Sequence, residues 1–275
     1  MRSTLVTLGA IAAVMAAMPA ANAGPVFLTG HDPDFHAQDS AGAASLLTEA
    51  LNFVTGGTYN SGAAHKFLWV ESNLAPTPGH RVGELGLTAI GLTLGTNFDQ
   101  VNAAGLASVN FSNYTAIAIA SDFGGMLTKD EINALIARKA DIANFVNAGG
   151  GLFASAECGP GNAACNADLV DNTTDLFGFV PVNVSSVVPS APFTVTPFGS
   201  SLGLSNADLN DPTHNSFGVT GGLNIVDFDA AGVPTTLAGN VRIGGNGFET
   251  PEPATIALLG TGLLGLGAIR RRRRS

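Results

Sequence analysis

The residues best suited to do chemistry lie in one short segment near the amino end. Residues 30–36, Gly-His-Asp-Pro-Asp-Phe-His, hold two imidazoles and two carboxylates within six positions. Imidazole and carboxylate ligands together suit a transition metal, and carboxylates alone suit calcium. The pattern therefore predicts a candidate site for a divalent cation. Its members are His31, Asp32, Asp34, His36 and, from a later loop, Asp122.

Three interpretations of this segment stay open. Aspartates in such loops often cap helices or close turns, and Pro33 marks a turn. Contact with a cation or a glycan is the second interpretation, and catalysis is the third. His65 and His80 stand alone in the sequence, so we interpret them as surface or core residues and not as ligands.

The predicted elements would bring these side chains to one edge of a sheet. Apolar runs predict buried strands at 26–29, 66–70, 98–101, 114–120 and 151–155, and helical spacing predicts helices at 41–54, 79–94 and 128–149. The last helix begins with a capping-box pattern at Thr128 and ends at Gly149. Strand, capped helix and strand in this order form a βαβ unit. Asp122 and Glu157 follow its two strands, at the edge where such sheets bind ligands.

The later part of the body is rich in β-structure. Residues 182–188 and 193–196 favour strands, and 223–228 with 234–237 predict a hairpin around Ala-Ala-Gly at 230–232. Strands alternating with helices early and a β-rich end predict an open, mainly parallel α/β sheet with a late hairpin. We assign this domain to residues 24–248.

Part of the body resembles a known superfamily. The strand Tyr-Thr-Ala-Ile-Ala-Ile-Ala at 114–120, the helix from Thr128 and Phe-Val-Asn-Ala-Gly-Gly-Gly-Leu-Phe at 145–153 are similar to class I glutamine-amidotransferase-like domains, especially the trehalose-utilisation-protein-like branch. The resemblance implies a flavodoxin-like three-layer sandwich. It also implies a nucleophilic cysteine on the turn after the Gly-rich strand and a late histidine. The matching candidates are Cys158, His214 and the adjacent Glu157.

The cysteine spacing argues against that chemistry. Cys158 and Cys165 have six residues between them, and in an exported chain such a pair more often closes a small disulfide loop than serves as a metal site or nucleophile. A disulfide would occupy the sulfur that the nucleophile needs. We therefore predict a Cys158–Cys165 disulfide and a degenerate amidotransferase-like site.

The amino end has the layout of a secretory signal peptide. Arg2 precedes an apolar stretch at 5–18, and Ala21-Asn22-Ala23 has the small residues of a cleavage site. Residues 1–23 are therefore predicted to engage the Sec translocon and signal peptidase.

The carboxyl end combines a tripeptide, an apolar run and a basic cluster. Pro251, Glu252 and Pro253 precede apolar residues 254–269, and the chain then has Arg270, Arg271, Arg272, Arg273 and Arg274. Sixteen helical residues span roughly 24 Å, less than the roughly 30 Å of a bilayer core, and the arginines favour the cytoplasmic side. The segment 249–275 resembles the PEP-CTERM sorting signal, which implies a membrane protease of the exosortase type as partner. A permanent membrane anchor is the alternative.

Charge narrows the classes of partner for the body. Residues 24–250 contain six basic and twenty acidic side chains, a net charge of −14. Nucleic acid and anionic lipid require clustered Lys and Arg, so neither is expected as a partner. Divalent cations and neutral polysaccharide remain compatible.

These features together predict an exported protein. It would be anchored transiently in the inner membrane and then reach the cell surface or the exopolysaccharide matrix, as a binding or structural protein. The alternative is a secreted hydrolase that acts on envelope or extracellular carbohydrate through the degenerate site.

Overall fold

Five short parallel strands form the centre of the fold. The computed structural model describes residues 23–72, 84–121, 127–155, 180, 184–185, 190–210 and 213–243. The parallel strands are β1 (Pro25–Thr29), β2 (Phe67–Val70), β3 (Phe98–Val101), β4 (Ala116–Ile119) and β5 (Gly151–Ala154). They lie in the order β3-β2-β4-β5-β1, and all except the edge strand β3 are almost entirely buried, as expected for a sheet that is covered on both faces.

Three antiparallel strands extend this sheet beyond β1. They are β7 (Thr194–Val195), β9 (Asn224–Phe228) and β10 (Pro234–Asn240), and β10 pairs directly with β1. The predicted late hairpin is confirmed as β9 and β10. Its turn is closed by Asp229, whose Oδ1 accepts hydrogen bonds from the amides of Ala231 and Val233, and by Gly232 at φ 77°. A separate pair joins β6 (Val184–Ser185) to β8 (Ser216–Phe217).

Helices cover both faces of the sheet. Side chains alternate along β2, so that Phe67 and Trp69 enter one apolar core while Leu68 and Val70 enter the other. The first core is covered by α1 (Pro33–His36), α2 (Ala41–Val54), α3 (Glu84–Ala89) and α7 (Pro197–Ser201). The second is covered by α4 (Ala103–Leu106), α5 (Lys129–Ala137) and α6 (Lys139–Asn147). Two 3-10 turns lie at Ala63–His65 and Phe111–Asn113.

The predicted βαβ unit is confirmed. β4 and β5 are parallel neighbours, and the helices between them begin with a capping box in which the Thr128 amide donates to Glu131 Oε2 at 2.9 Å. Gly149 ends the helical segment with φ 103°, a left-handed conformation that favours glycine.

The prediction of a single unbroken helix between these two strands is wrong. The segment after Thr128 is broken at Arg138, which ends α5 and precedes α6 with φ −103° and ψ 14°. The Arg138 guanidinium donates to the carbonyl groups of Leu106 and Val109, each at 2.7 Å, and lies 4.1 Å from the Phe111 ring centroid. Arg138 Nε also donates to Asp141 Oδ2 at 2.9 Å. The break in the helix thus coincides with long-range contacts between Arg138 and the end of α4 and the residues that follow it.

Other predicted elements differ in extent. The helix predicted at 79–94 is described from residue 84 and ends at Ala89, with Gly91 in the left-handed region at φ 85°. Residues 79–83 lie outside the described part, as do residues 1–22, 122–126 and 156–179 and the predicted membrane segment 254–269. Within the described ranges, no helix is long and apolar enough to cross a membrane.

The strand order departs from the order that the amidotransferase resemblance implied. Flavodoxin-like sheets place the first strand inside the sheet, in the order 2-1-3-4-5. Here β1 lies beside β5, and the parallel order is 3-2-4-5-1. The first strand thus takes the place that the fifth strand has in flavodoxin-like sheets. A mixed, mainly parallel α/β sheet is observed, while the flavodoxin-like classification stays a prediction.

Both ends of the described body contact the last turn of α6. The Gly24 amide donates to the Val146 carbonyl at 2.7 Å. Asn147 forms two hydrogen bonds with the backbone of Ile243, donating from Nδ2 at 2.7 Å and accepting at Oδ1 at 2.8 Å. The first residue of the predicted domain and the last described residue are therefore held at one corner.

Replacing Arg138 should destabilise the body. Arg138→Ala removes both hydrogen bonds to the segment after α4 and the contact with Phe111, so we expect the free energy of unfolding to fall by about 2–3 kcal/mol. Urea denaturation of the purified chain measures it. Lys139→Ala, at the exposed neighbouring position, is the control. Equal unfolding midpoints for the two variants would show that the Arg138 contacts contribute nothing.

Candidate functional site

The candidate site begins where β1 ends, at a glycine that another segment crosses closely. The Gly30 amide donates to the Thr235 carbonyl at 2.7 Å, and its carbonyl accepts from the His214 amide at 2.7 Å. A Cβ atom at position 30 would lie 1.9 Å from the Asn215 carbonyl oxygen, so only glycine fits there. This close approach brings residues 213–215 directly against His31 and the residues that follow it.

His31 is fully buried and connects three elements. Its Nδ1 lies 2.8 Å from Thr213 Oγ1, and its Nε2 lies 3.3 Å from Asp227 Oδ2 on β9. The Thr235 hydroxyl also donates to Asp227 Oδ2. Since a carboxylate only accepts hydrogen bonds, His31 Nε2 is the donor to Asp227. The edge of Phe193 packs on the imidazole at 4.8 Å between ring centroids.

Asp32 lies between two histidines. Its Oδ1 is 3.4 Å from His36 Nε2, and its Oδ2 is 3.2 Å from His214 Nε2. Asp32 occupies the position before α1, yet its carboxylate makes no capping hydrogen bond. Within the described part of the chain, neither carboxylate oxygen has a hydrogen bond of good geometry. The helix-capping interpretation therefore does not account for this side chain.

Burial controls the protonation of this pair. It raises the pKa of Asp32 well above its usual range, and the carboxylate of Asp34 adds to the rise. Burial also lowers the pKa of His214 to about 4, and the adjacent His31 acts in the same direction. His214 is consequently neutral near pH 7, and its contact with Asp32 is not a pair of full charges. Its side chain is 12 % exposed, so the pair lies just below the surface.

Asp34 connects α1 to the end of β4. Its Oδ2 accepts hydrogen bonds from the Ser121 amide at 2.9 Å and from the Ser121 hydroxyl at 3.3 Å. Burial raises the pKa of Asp34 to about 6, although the hydrogen bond from the Ser121 amide acts against the rise. The backbone of Asp34 is also packed closely by α3, because a Cβ on Gly86 would lie 2.0 Å from the Asp34 carbonyl oxygen.

The structure brings together most of the predicted site residues that it describes. His31, Asp32, His36 and His214 form one contiguous group, although His214 is 182 positions from Asp32 in the chain. Asp34 reaches Ser121, the residue before Asp122. In the body, four predicted site residues lie outside the described ranges, and their roles stay predictions: Asp122, Glu157, Cys158 and Cys165.

The predicted cation site gains no support from the described residues. Among residues 23–72, 84–121, 127–155 and the later described segments, no three His, Cys, Asp or Glu side chains have the arrangement of a metal site. His31 is turned to Thr213 and Asp227, and Asp34 is turned to Ser121. A cation site that includes Asp122 stays a prediction.

The buried carboxylates Asp227 and Glu71 were missed by the sequence reasoning. Asp227 lies in β9, where a carboxylate between apolar neighbours could have indicated a buried polar partner. Glu71 directly follows β2, is buried, and accepts a hydrogen bond from Trp69 Nε1 at 2.7 Å and from the Glu84 amide at 2.8 Å. The contacts of Glu71 satisfy a buried indole and the start of α3, which is a structural role.

A cleft of about 530 Å³ lies at the opposite end of the sheet. Its walls include the first residue of β1, the residues that precede β4 and β5, and the end of α2. Lining residues include Pro25, Val54, Thr58, Tyr114, Thr115 and Phe145. The cleft and the histidine group are therefore separate surfaces at the two ends of the strands.

Comparison with known proteins identifies one part of the chain. Residues 249–274 match the PEP-CTERM protein-sorting motif. The match confirms the sequence-based interpretation of the tail, and it implies an exported protein that an exosortase processes. No curated protein and no solved structure matches the chain. The resemblance of the body to amidotransferase-like domains therefore stays a prediction.

The protonation of Asp34 should make stability depend on pH. The folded state raises its pKa to about 6 from 3.8, so its stabilising contribution is complete below pH 3.8 and is lost as the pH rises through 6. Asp34→Asn keeps an oxygen that accepts from Ser121 but does not ionise. We expect wild type to lose about 2–2.5 kcal/mol relative to D34N between pH 4 and pH 7.

Urea denaturation at several pH values measures this difference. Asp130 is exposed, so Asp130→Asn is the control, and its difference from wild type should vary much less with pH. A constant difference between wild type and D34N over this range would contradict the burial of an ionising Asp34.

Proposed function

We propose that this chain is an exported cell-surface or exopolysaccharide-matrix-associated protein whose α/β body binds or supports other components and does not catalyse a reaction. The observation that carries the proposal is the PEP-CTERM motif at residues 249–274, which follows an acidic body. The Sec translocon and signal peptidase handle the amino end, and an exosortase cleaves near Pro251–Pro253. The released body then joins the extracellular polymer.

The contacts of the histidine group support a structural role for much of it. His31, Thr213 and Asp227 are all buried, and each ring nitrogen of His31 lies within reach of a side chain of the fold. A general base must reach a proton on its substrate, directly or through one water. His31 is fully enclosed and connects β1, β9 and the 213–215 segment, so its contribution is to position those elements.

The cleft at the other end of the sheet supports contact with sugars. Its lining combines the aromatic residues Tyr114 and Phe145 with the hydroxyl-bearing residues Thr58 and Thr115. Apolar rings with a few hydrogen-bonding groups are the usual composition of small-ligand sites, and the negative body does not exclude neutral polysaccharide. A neutral glycan is the ligand class that this surface would accept.

Removing the arginine cluster should cause missorting. Without Arg270 to Arg274 the tail loses the charges that hold its end at the cytoplasmic face. The exosortase should therefore not bind and cleave the tail. Intact mass spectrometry of protein from cells and medium measures tail cleavage directly. Wild type should lack the tail outside the cell, and the deletion variant should keep it.

A charge-preserving variant serves as the control. Replacing the five arginines with lysines keeps the positive charge and should restore at least partial processing. Normal release of the deletion variant, with the tail removed near Pro251–Pro253, would contradict sorting through this motif.

A secreted carbohydrate hydrolase is the second candidate, and one observation favours it. Asp32 has a histidine near each carboxylate oxygen, and His214 is neutral and partly exposed. A neutral imidazole paired with a protonatable carboxyl group has the composition of a general base and a general acid. Glu157 would complete this group if its strand end brings it to the same edge.

Substitution of His214 tests the hydrolase directly. Wild type would release reducing sugar ends from exopolysaccharide of the producing cells, and His214→Asn should lower the rate by about a hundredfold or more. Lys139 is exposed and belongs neither to the histidine group nor to the lining of the cleft, so Lys139→Ala should retain full activity. Absence of sugar release by wild type, or full activity of H214N, would remove this candidate.

A further inference from the structure

The peptide bond between Asp32 and Pro33 lies inside the histidine group. Asp32 is fully buried, and Pro33, the first residue of α1, is buried as well. An aspartate side chain can close a cyclic anhydride on its own main-chain carbonyl carbon. The fully substituted proline nitrogen takes up a proton more readily than other amide nitrogens. Both properties make an Asp–Pro bond easier to break than other peptide bonds.

The carboxyl group of Asp32 is not fixed in another role. Counting only residues that the structure describes, no donor meets either oxygen with hydrogen-bond geometry, although the side chain has no exposed surface. The side chain also does not cap α1. Buried polar groups are normally hydrogen-bonded, so this exception requires an explanation. A carboxyl group that attacks its own carbonyl carbon has to be free to turn toward it.

The main-chain carbonyl of Asp32, by contrast, has two hydrogen bonds. Its oxygen accepts from the amides of Phe35 at 3.1 Å and His36 at 3.2 Å, the bonds with which α1 begins. Two N–H donors polarise the carbonyl and stabilise the negative charge that develops on its oxygen during attack, as in an oxyanion hole. Formation of α1 therefore activates the bond that precedes Pro33.

Two imidazoles next to the carboxyl group can move its proton. His214 Nε2 lies 3.2 Å from Asp32 Oδ2, and His36 Nε2 lies 3.4 Å from Oδ1. The main chain holds His214 in this place, because its amide donates to the Gly30 carbonyl at 2.7 Å. The two imidazole side chains are 12 % and 24 % exposed, so water has access to the group.

We propose that the folded chain cuts its own backbone between Asp32 and Pro33. A carboxyl oxygen of Asp32 forms a C–O bond with the main-chain carbonyl carbon of the same residue, while His214 takes up the carboxyl proton. The C–N bond to Pro33 then breaks, and the imidazole passes its proton to the leaving proline nitrogen. Water opens the anhydride on Asp32 to two carboxylates and two protons, and the new amino terminus binds one of these protons.

The cut occurs once in each chain and acts on no other molecule, so it goes beyond the proposed function without conflicting with it. β1 pairs with both β5 and β10, and residues 26–29 have no exposed surface. Openings of such central strands have free energies near that of global unfolding, so β1 stays in the sheet after the cut. The product is a protein in two pieces that remain assembled. Any segment still joined to Gly24 has then lost its covalent link to residues 33–275.

The chain contains a second bond of the same type, between Asp211 and Pro212. In the denatured chain the two bonds have similar chemical surroundings, so dilute acid should break both of them. In the folded protein near neutral pH, only the bond between Asp32 and Pro33 should break. The second bond is therefore an internal control for the effect of the histidine group.

The test follows the purified full-length chain in detergent micelles, without added protein or carbohydrate, by mass spectrometry under denaturing conditions. A carboxyl-terminal fragment that begins with Pro33 identifies the cut, whether or not the leader or the tail is still present. The readout is therefore independent of PEP-CTERM sorting and of sugar hydrolysis. The rate of a cut within one molecule does not change on dilution, which distinguishes it from cleavage by a contaminating protease.

We expect folded wild type to break at Asp32–Pro33 at least about a hundredfold faster than at Asp211–Pro212. Asp32→Asn removes the attacking carboxyl group and should abolish the fragment, whereas the exposed Lys139→Ala should be cut like wild type. A wild-type chain that stays intact would overturn the proposal. Equal cutting of wild type and D32N, or of the two Asp–Pro bonds, would also overturn it.

A second variant keeps the test valid if D32N does not fold. Pro33→Ala retains the carboxyl group and both imidazoles but replaces the leaving nitrogen with one that takes up a proton less readily, so most of the fragment should be lost. Urea denaturation shows which variants are folded. A folded P33A protein that is cut as fast as wild type would contradict the proposed leaving group.

A chemical trap tests the anhydride itself. Hydroxylamine reacts with anhydrides, so in its presence the amino-terminal fragment of wild type should end in a hydroxamate of Asp32. A fragment that ends only in the free carboxylic acid would show direct attack by water and would overturn the anhydride step.

Discussion

The placement of β1 between β5 and β10 is the constraint on which the rest of the structure depends. This strand pairs in parallel with β5 and in antiparallel with β10, so it joins the parallel sheet to its antiparallel extension. Glycines precede and follow it because other backbones approach closely at both ends, namely Gly150 near Gly24 and Asn215 near Gly30. Displacement of β1 would separate the two halves of the sheet and disperse the histidine group at its end.

Much of the fold could be predicted from local patterns. The capping box at Thr128, the left-handed Gly149 and the hairpin turn at Gly232 each depend on residues a few positions apart, and all three are present. The break at Arg138 was not predictable, because it coincides with contacts to carbonyl groups about thirty positions earlier. The place of β1 beside β5 is equally non-local, since apolar runs do not specify which strands become neighbours.

In the candidate site, too, only the residues that are close together in the sequence could be predicted. His31, Asp32, Asp34 and His36 could be identified because they are adjacent in sequence and chemically distinctive. Their partners could not, since Asp227 is 196 positions from His31 and Thr213 is 182 positions from it. The partners decide what the group does: with them, His31 is an enclosed structural residue, and only the Asp32–His214 pair lies near the surface.

The attachment of Gly24 and Ile243 to α6 has a consequence for the export proposed above. These two residues contact adjacent residues of one helical turn. If the predicted leader and tail both lie in the bilayer before they are removed, both connections to the membrane start from the same corner of the body. β1 leads away from that corner, so its far end, next to Asp32 and His214, would lie roughly 20 Å farther from it, given about 3.3 Å per strand residue.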